Sequence, residues 1–350
     1  MRFAVDVPNF GDFADPRVVA ELARRAEDAG WDGLFVWDHV THRKELRRAI
    51  ADPWVLLTAA ALATRRIRLG TMVTPVARRR VSKLAREVTT IDRLTGGRMI
   101  LGVGLGAPVA DEFGSFGDTT NPKELAAPLD EGLTALNLLW SGEPVSFRGE
   151  YVVLDDVVFL PTPLQRPRVP VWVGGEWPAR PPMRRAARWD GAAPILLPGD
   201  GGPPIQPDPA TVREIYAFVA DCRAGTELAE EPFELVISGT SPAGPSGSDL
   251  VGPLEEAGAT WWNECIWDDL ERAEPMMRRV DLGPPPLRRR PEVRGPRSRS
   301  DRLARRWGAG STGRSSLRNR STWARISPRS GQPSGRSAGL VASTSASRSC

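Results

Sequence analysis

The sequence has 350 residues and a formal net charge of +4, which sums two unlike parts. Residues 287–350 hold 16 arginines, no lysine and two acids, Glu292 and Asp301, for a charge of +14, and the first 286 residues carry −10. An acidic body excludes a nucleic-acid-binding fold that is basic all over, and its length suits one large barrel or two ordinary domains.

Other counts narrow the chemistry. Cys222, Cys265 and Cys350 are too dispersed for a Cys-x-x-Cys site and too few for a disulfide scaffold, which suits a reducing cytoplasm. Met1 to Phe10 holds no signal-like apolar stretch, and no run reaches the ~20 apolar residues of a membrane helix. Two histidines, His39 and His42, are too few for a His-rich metal barrel. No metal site is expected. Lys44, Lys83 and Lys123 lie away from strand ends, which argues against a Schiff-base lysine.

In chain order, Phe3–Val7 reads as a strand. Asp15-Pro16 opens a helix whose apolar face is Val18, Val19, Leu22, Ala23 and Ala26, ended by Gly30. Gly33–Trp37 is a second strand, and a helix follows over 51–64. The third strand is Ile67–Val73, its helix 81–94, and the fourth strand Met99–Val103. The pattern then pauses in a long loop, 104–122, before a helix over 123–139. A hairpin over 145–158 turns at Arg148-Gly149. Alternation resumes with strands at 169–173, 191–197, 233–238 and 260–266, each followed by a helical segment: 182–188, 208–223, 249–257 and 268–280. Eight strand–helix units over residues 1–283 predict an α/β fold, a (β/α)8 TIM barrel with an insertion after strand four. A doubly wound sheet is the alternative.

Residues 284–350 are rich in Arg and Ser and show no period, so a disordered C-terminal tail is expected. Two readings of it stand: a selected arm for RNA or another anionic surface, or the out-of-frame product of a GC-rich gene after a frameshift near codons 281–287.

In such a barrel, chemistry sits at the C-terminal ends of the strands. Those ends carry Trp37-Asp38-His39, Gly70-Thr71-Met72-Val73, Gly104-Leu-Gly106-Ala107, Gly174-Gly175-Glu176-Trp177, Ser238-Gly239 and Trp261-Trp262-Asn263-Glu264. Glycines and aromatics with few charges suit a flat aromatic cofactor bearing a phosphate. His39 is a site candidate, and its bland reading is a structural partner of Asp38. Trp261 and Trp262 must point to opposite faces of their strand.

These residues resemble the luciferase-like monooxygenase family, the bacterial-luciferase-type flavin and deazaflavin oxidoreductases. The match runs from about Arg2 to Val280. It is carried by Ile67-Arg-Leu-Gly-Thr-Met-Val-Thr-Pro75, Leu84-Ala-Arg-Glu87, Ile91-Asp-Arg-Leu-Thr-Gly-Gly-Arg98, Leu101-Gly-Val-Gly-Leu-Gly106, Leu129-Asp-Glu131, Leu139-Trp-Ser-Gly142, Pro161-Thr-Pro-Leu-Gln165, Pro170-Val-Trp-Val-Gly-Gly175 and Ala186-Ala-Arg-Trp-Asp-Gly191. The resemblance implies FMN or a deazaflavin (coenzyme F-420) across the strand ends. It implies a non-proline cis peptide within Thr71, Met72 and Val73, and a phosphate near Gly104, Gly106, Gly174 and Gly175. It also implies catalytic work at His39, with Trp177 and Glu264 as pocket candidates. The implied function is an oxidoreductase: a monooxygenase with reduced FMN and dioxygen, or a hydride-transfer enzyme with a reduced deazaflavin. The implied partners are a small organic substrate, a separate flavin reductase and a second copy in a homodimer. A non-catalytic flavin-binding barrel and a nucleic-acid-associated protein acting through the tail are the competing classes. Related sugar-phosphate dehydrogenases place Glu after the strand-four glycines. Here Ala107 stands there, with Asp111 and Glu112 further along the loop.

Overall fold

The chain alternates strand and helix: β1 (Arg2–Val7), α1 (Pro16–Asp28), β2 (Gly33–Val36), α2 (Pro53–Ala63), β3 (Arg68–Pro75), α3 (Val81–Thr95) and β4 (Met99–Gly104). An insertion follows, with α4 (Val109–Glu112), α5 (Pro122–Leu139) and the hairpin β5 (Pro144–Arg148) and β6 (Val153–Val158). The second half is β7 (Val171–Glu176), α6 (Arg180–Ala186), β8 (Gly191–Ile195), α7 (Pro209–Arg223), β9 (Glu234–Gly239), α8 (Pro245–Glu256), β10 (Trp261–Glu264) and α9 (Ala273–Asp281). This computed structural model describes residues 1–198, 202 and 204–286. Eight strands, all parallel, close in the order β1-β10-β9-β8-β7-β4-β3-β2, while β5 and β6 pair apart from them. The (β/α)8 barrel with its insertion after the fourth strand is therefore present.

Local chemistry explains the helix starts. Asp15 accepts from the Arg17 N–H, Asp52 from Trp54 and Val55, Asn121 from Lys123 and Asp208 from Thr211, each with proline at the start of its helix. These caps satisfy donors that the first turn leaves bare.

Strand alternation sorts two cores. Ala4, Phe35, Ile100, Trp172, Ala193, Val236 and Trp261 form a plug inside the barrel. Trp172 lies 5.3 Å, centroid to centroid, from both Phe35 and Trp261. Their sequence neighbours, such as Leu34, Leu101, Val173, Leu235 and Trp262, pack outward under the helices. Trp261 and Trp262 thus face opposite ways, and the interior is filled below its C-terminal mouth.

Two motifs that carry the family resemblance are structural. Buried Asp92 accepts from the backbone of Leu164 (2.6 Å) and Gln165 (3.2 Å), and Gln165 donates to the Met99 carbonyl (2.6 Å). This clasp ties the Pro161–Gln165 segment to α3 and β4 before the chain enters β7.

Element ends shift by a few residues from the sequence expectation, and three departures stand out. The segment 104–122 is not all loop, since α4 and a 3-10 turn at Gly114–Phe116 form within it. The last helix begins at Ala273 rather than Asp268. Asp269 is engaged by the Arg272 side chain (2.8 Å), and Asp12 accepts from the Ala273 N–H (3.0 Å). The body also reaches past residue 283: Pro285 is buried against Gly247, and the Ser248 hydroxyl donates to the Pro286 carbonyl. The remainder of the expected tail, 287–350, lies outside the described residues. No helix among the described residues is long and apolar enough to cross a membrane.

Candidate active site

The inward-facing positions above the aromatic plug divide into two walls. On one wall, β3 bulges toward the interior. Its pairing with β4 jumps between Thr71 and Thr74, and the Met72–Val73 peptide is cis, where the resemblance placed one. Met72 packs on the plug. Val73 lies against two glycines: a Cβ on Gly104 would sit 2.7 Å from Val73 Cγ2, and one on Gly174 would sit 2.8 Å from Val73 Cγ1. Glycine is required at both if the bulge is to stay. Met72, Val73, Gly104 and Gly174 are thereby brought into one floor.

The other proposed cofactor residues sit differently. Thr71 is fully buried, and its hydroxyl donates to the Gly102 carbonyl at 3.0 Å, so that side chain is committed inside the sheet. Gly175 faces outward, where a Cβ would meet Pro182 of α6 at 2.3 Å. Gly106 holds φ +87° beyond the strand end, beside Pro75 and Phe113.

On the β2 side, His39 is held from two directions. Buried Asn9 donates to the His39 carbonyl (2.8 Å) and accepts from its N–H (3.2 Å), which fixes the backbone. The ring Nδ1 meets Glu112 Oε1 at 3.0 Å. Glu112 is fully buried at the end of α4 and also accepts from the Val40 (3.1 Å) and Thr41 (3.3 Å) N–H groups and from Arg78. Arg78 continues to Asp38 Oδ1 (2.8 Å), which Arg79 also binds (2.8 Å). Two buried carboxylates are thus matched by two arginines and a histidine, the arrangement a buried charge needs. The loop after β4 folds back over the mouth through this network. Asp38 is bound by arginines rather than by the His39 ring.

Aromatic rings crowd the same rim. His39 lies 4.5 Å from His42, His42 stacks on Phe10 (5.1 Å), and Trp37 stands 5.7 Å from both His39 and Trp267. Burial first, then electrostatic interaction with neighbouring His39 and with the Arg48 guanidinium, pushes the His42 pKa down to about 3. Arg48 Nη1 lies 2.5 Å from His42 Nδ1, which is the acceptor of a neutral ring.

Two sequence candidates lie elsewhere. Glu264 shares the outward face of β10 with Trp262. It is fully buried, accepts from the Ser241 N–H (2.8 Å) and the Trp262 indole (2.9 Å), and pairs with Arg279 of α9 (3.2 Å). Trp177 packs edge-on against Phe218 of α7 at 5.9 Å, under the helix layer. Neither joins the mouth: the two-residue strand period sends Glu264 outward, and Trp177, just past the end of β7, turns onto α7. Sequence reasoning noted Glu112 in the loop beyond Ala107 but missed its pairing with His39, and it missed Arg78 altogether. Glu112 is 73 positions from His39, and no local pattern reports such a contact. Among the described residues, no cluster of three or more His, Cys, Asp or Glu is placed to hold a metal ion.

The C-terminal mouth of this parallel barrel thus joins a glycine-lined floor on β3, β4 and β7 to an anchored histidine at the end of the neighbouring β2. The sequence profile described as luciferase-like monooxygenase matches residues 3–196, and the chain belongs to that family. It is similar to the F420-dependent glucose-6-phosphate dehydrogenase of Amycolatopsis mediterranei, at 35% identity over 167 residues, 47% of this chain and 49% of that protein. The corresponding protein of Gordonia bronchialis is 29% identical over 224 residues, 63% of this chain and 62% of that one. The chain thus spans about half the length of the first of these relatives. Among solved structures, the FMN-bound oxygenating constituent of 3,6-diketocamphane monooxygenase from Pseudomonas putida superposes with TM-score 0.63 at 16% identity, covering 81% of this chain and 96% of that one. The coenzyme F420-dependent tetrahydromethanopterin reductase of Methanopyrus kandleri superposes with TM-score 0.61 at 17% identity, covering 80% and 96%. At these identities the superpositions establish the fold.

Proposed function

We propose that this protein is an oxidoreductase that holds a deazaflavin or FMN in the barrel mouth and acts on a small organic substrate. The observation that carries the reading is the pairing of His39 with Glu112 at the end of β2, the strand next to the Val73–Gly104–Gly174 floor. The F420-dependent sequence relatives favour the deazaflavin. The family description favours FMN with dioxygen as a second reading.

The residues fit such a ring. Val73 fills the space that side chains at 104 and 174 would take, so the bulge seats close to β4 and β7 and offers an apolar, uncharged surface on which a ring face would rest. Either cofactor, once bound, supplies the redox chemistry. The chain supplies geometry and protons. Glu112 takes up His39 Nδ1, so Nε2 is the nitrogen available to the substrate. His39 delivers or accepts a proton there, and Asn9 keeps its backbone from moving. The plug of Phe35, Trp172 and Trp261 closes the barrel below and excludes water from that side. Ala107 stands where the sugar-phosphate dehydrogenases resembling this family carry Glu, so glucose 6-phosphate is not the substrate we assign. With FMN, a separate reductase would supply the reduced cofactor. A homodimer is the assembly we infer from family membership.

The test is titration of the purified protein with FMN and with coenzyme F420. Dioxygen uptake with reduced FMN and deazaflavin reduction against a panel of alcohols and aldehydes then follow. A His39→Ala variant should bind cofactor and lose ~10²-fold or more of turnover. Full turnover by that variant refutes the role of His39.

A further inference from the structure

Across the barrel from the glycine floor lies a second wall that the proposed function leaves unused. Asp6 of β1 and Asn263 of β10 face the interior on adjacent strands, whose register pairs Ala4 with Asn263. Both are buried, Asp6 at 3% and Asn263 at 0% exposure. The Trp37 and Asn263 side chains lie beside the Asp6 carboxyl, and Asn263 Nδ2 lies 3.3 Å from the Ser238 hydroxyl. One oxygen of each, Asp6 Oδ1 and Asn263 Oδ1, has no hydrogen-bond partner. Buried polar atoms are nearly always paired, so two adjacent orphans inside one barrel point to a partner from outside the chain.

The topology says where that partner comes from. Going round the barrel, β10 is three steps from β7 through β9 and β8, and β1 is three steps from β4 through β2 and β3. The orphan pair therefore stands diametrically opposite Gly104 of β4 and Gly174 of β7. A flat ring held on that floor would have Asp6 and Asn263 on the wall facing it. Flavins and deazaflavins share one polar edge, an imide N–H flanked by two carbonyls. Burial pushes the Asp6 carboxyl well above the usual carboxylate range. A neutral carboxyl offers an O–H to a ring carbonyl, while the Asn263 carbonyl accepts the imide N–H.

We propose that Asp6 and Asn263 recognise the imide edge of the cofactor ring, as a donor and acceptor pair on the wall opposite the glycine floor. This rests on the functional reading above and adds to it which edge of the ring enters the barrel and what receives it.

The experiment uses the full chain and fluorescence titration with FMN, coenzyme F420 and the analogue of each methylated on the imide nitrogen. The native protein should bind the methylated analogue about tenfold more weakly than its parent, the loss of one buried hydrogen bond. In Asn263→Ala that preference should fall below about twofold, with parent binding itself about tenfold weaker. Asp6→Asn, which keeps a neutral donor and acceptor, should retain the preference, whereas Asp6→Ala should weaken the parent. Equal affinity of the native protein for parent and analogue overturns the proposal, and so does a preference unchanged in Asn263→Ala. If Asn263→Ala does not fold by circular dichroism, the native comparison alone decides. Binding of neither cofactor overturns the functional reading, and this inference with it. Binding without discrimination overturns this inference alone.

Discussion

Glu112→Gln tests how much the network behind His39 matters. Oε1 of Glu112 serves His39 Nδ1 and the Thr41 N–H, and Oε2 serves the Val40 N–H and Arg78. A glutamine can keep its carbonyl toward one pair only. Its amide then faces two donors, so the Val40 N–H and one Arg78 N–H are left buried without an acceptor. Each orphan costs about 1–3 kcal/mol, and the site cannot rehydrate freely because Glu112 is fully buried. A total near 3 kcal/mol follows, a fall of roughly 6–12 °C in melting temperature. Urea unfolding gives the stability change directly. If the carbonyl stays with His39, turnover should drop less than in His39→Ala, whereas if it turns to Val40 the two variants should match. A variant within about 0.5 kcal/mol of the parent, a change usual for exposed sites, refutes the reasoning.

Other expectations are equally concrete. Arg279→Met leaves the Glu264 carboxylate buried without its cation and should cost about 3–5 kcal/mol in urea. Cofactor affinity should not change, and a selective loss of affinity would return Glu264 to the site. Gly174→Ala places a Cβ 2.8 Å from Val73 and should weaken FMN or deazaflavin binding about tenfold, read by fluorescence. Unchanged binding would show that the floor is not where the ring rests. For His42, the folded pKa lies below the unfolded 6.5, so the unfolded state binds the extra proton as pH falls. Its stabilisation is complete above pH 6.5 and is lost progressively toward pH 3. Discounted for partial solvent access, it is about 1–2 kcal/mol. His42→Phe should be less sensitive to acid by that amount. Parallel curves of unfolding midpoint against pH would refute the assignment.

By itself the sequence determined the barrel and much of its floor. Strand and helix periods are local, and so are the Asp-Pro and Asn-Pro caps, so eight units could be read from residue order alone. Gly104 and Gly174 stood out because glycine at a strand end is a local signal too. Only the tertiary structure decided which face each candidate takes and what meets it. A strand's period is two, so one position separates Gly174, on the floor, from Gly175 against Pro182. The same rule sends Glu264 to Arg279 while Asn263 beside it faces the interior. Glu112 reaches His39 across 73 residues, and Asp6 meets Asn263 only because β1 closes the barrel on β10. Such contacts are products of closure. The pI of 9.3 belongs to the arginines of 287–350, while the acidic 286 residues before them build the site.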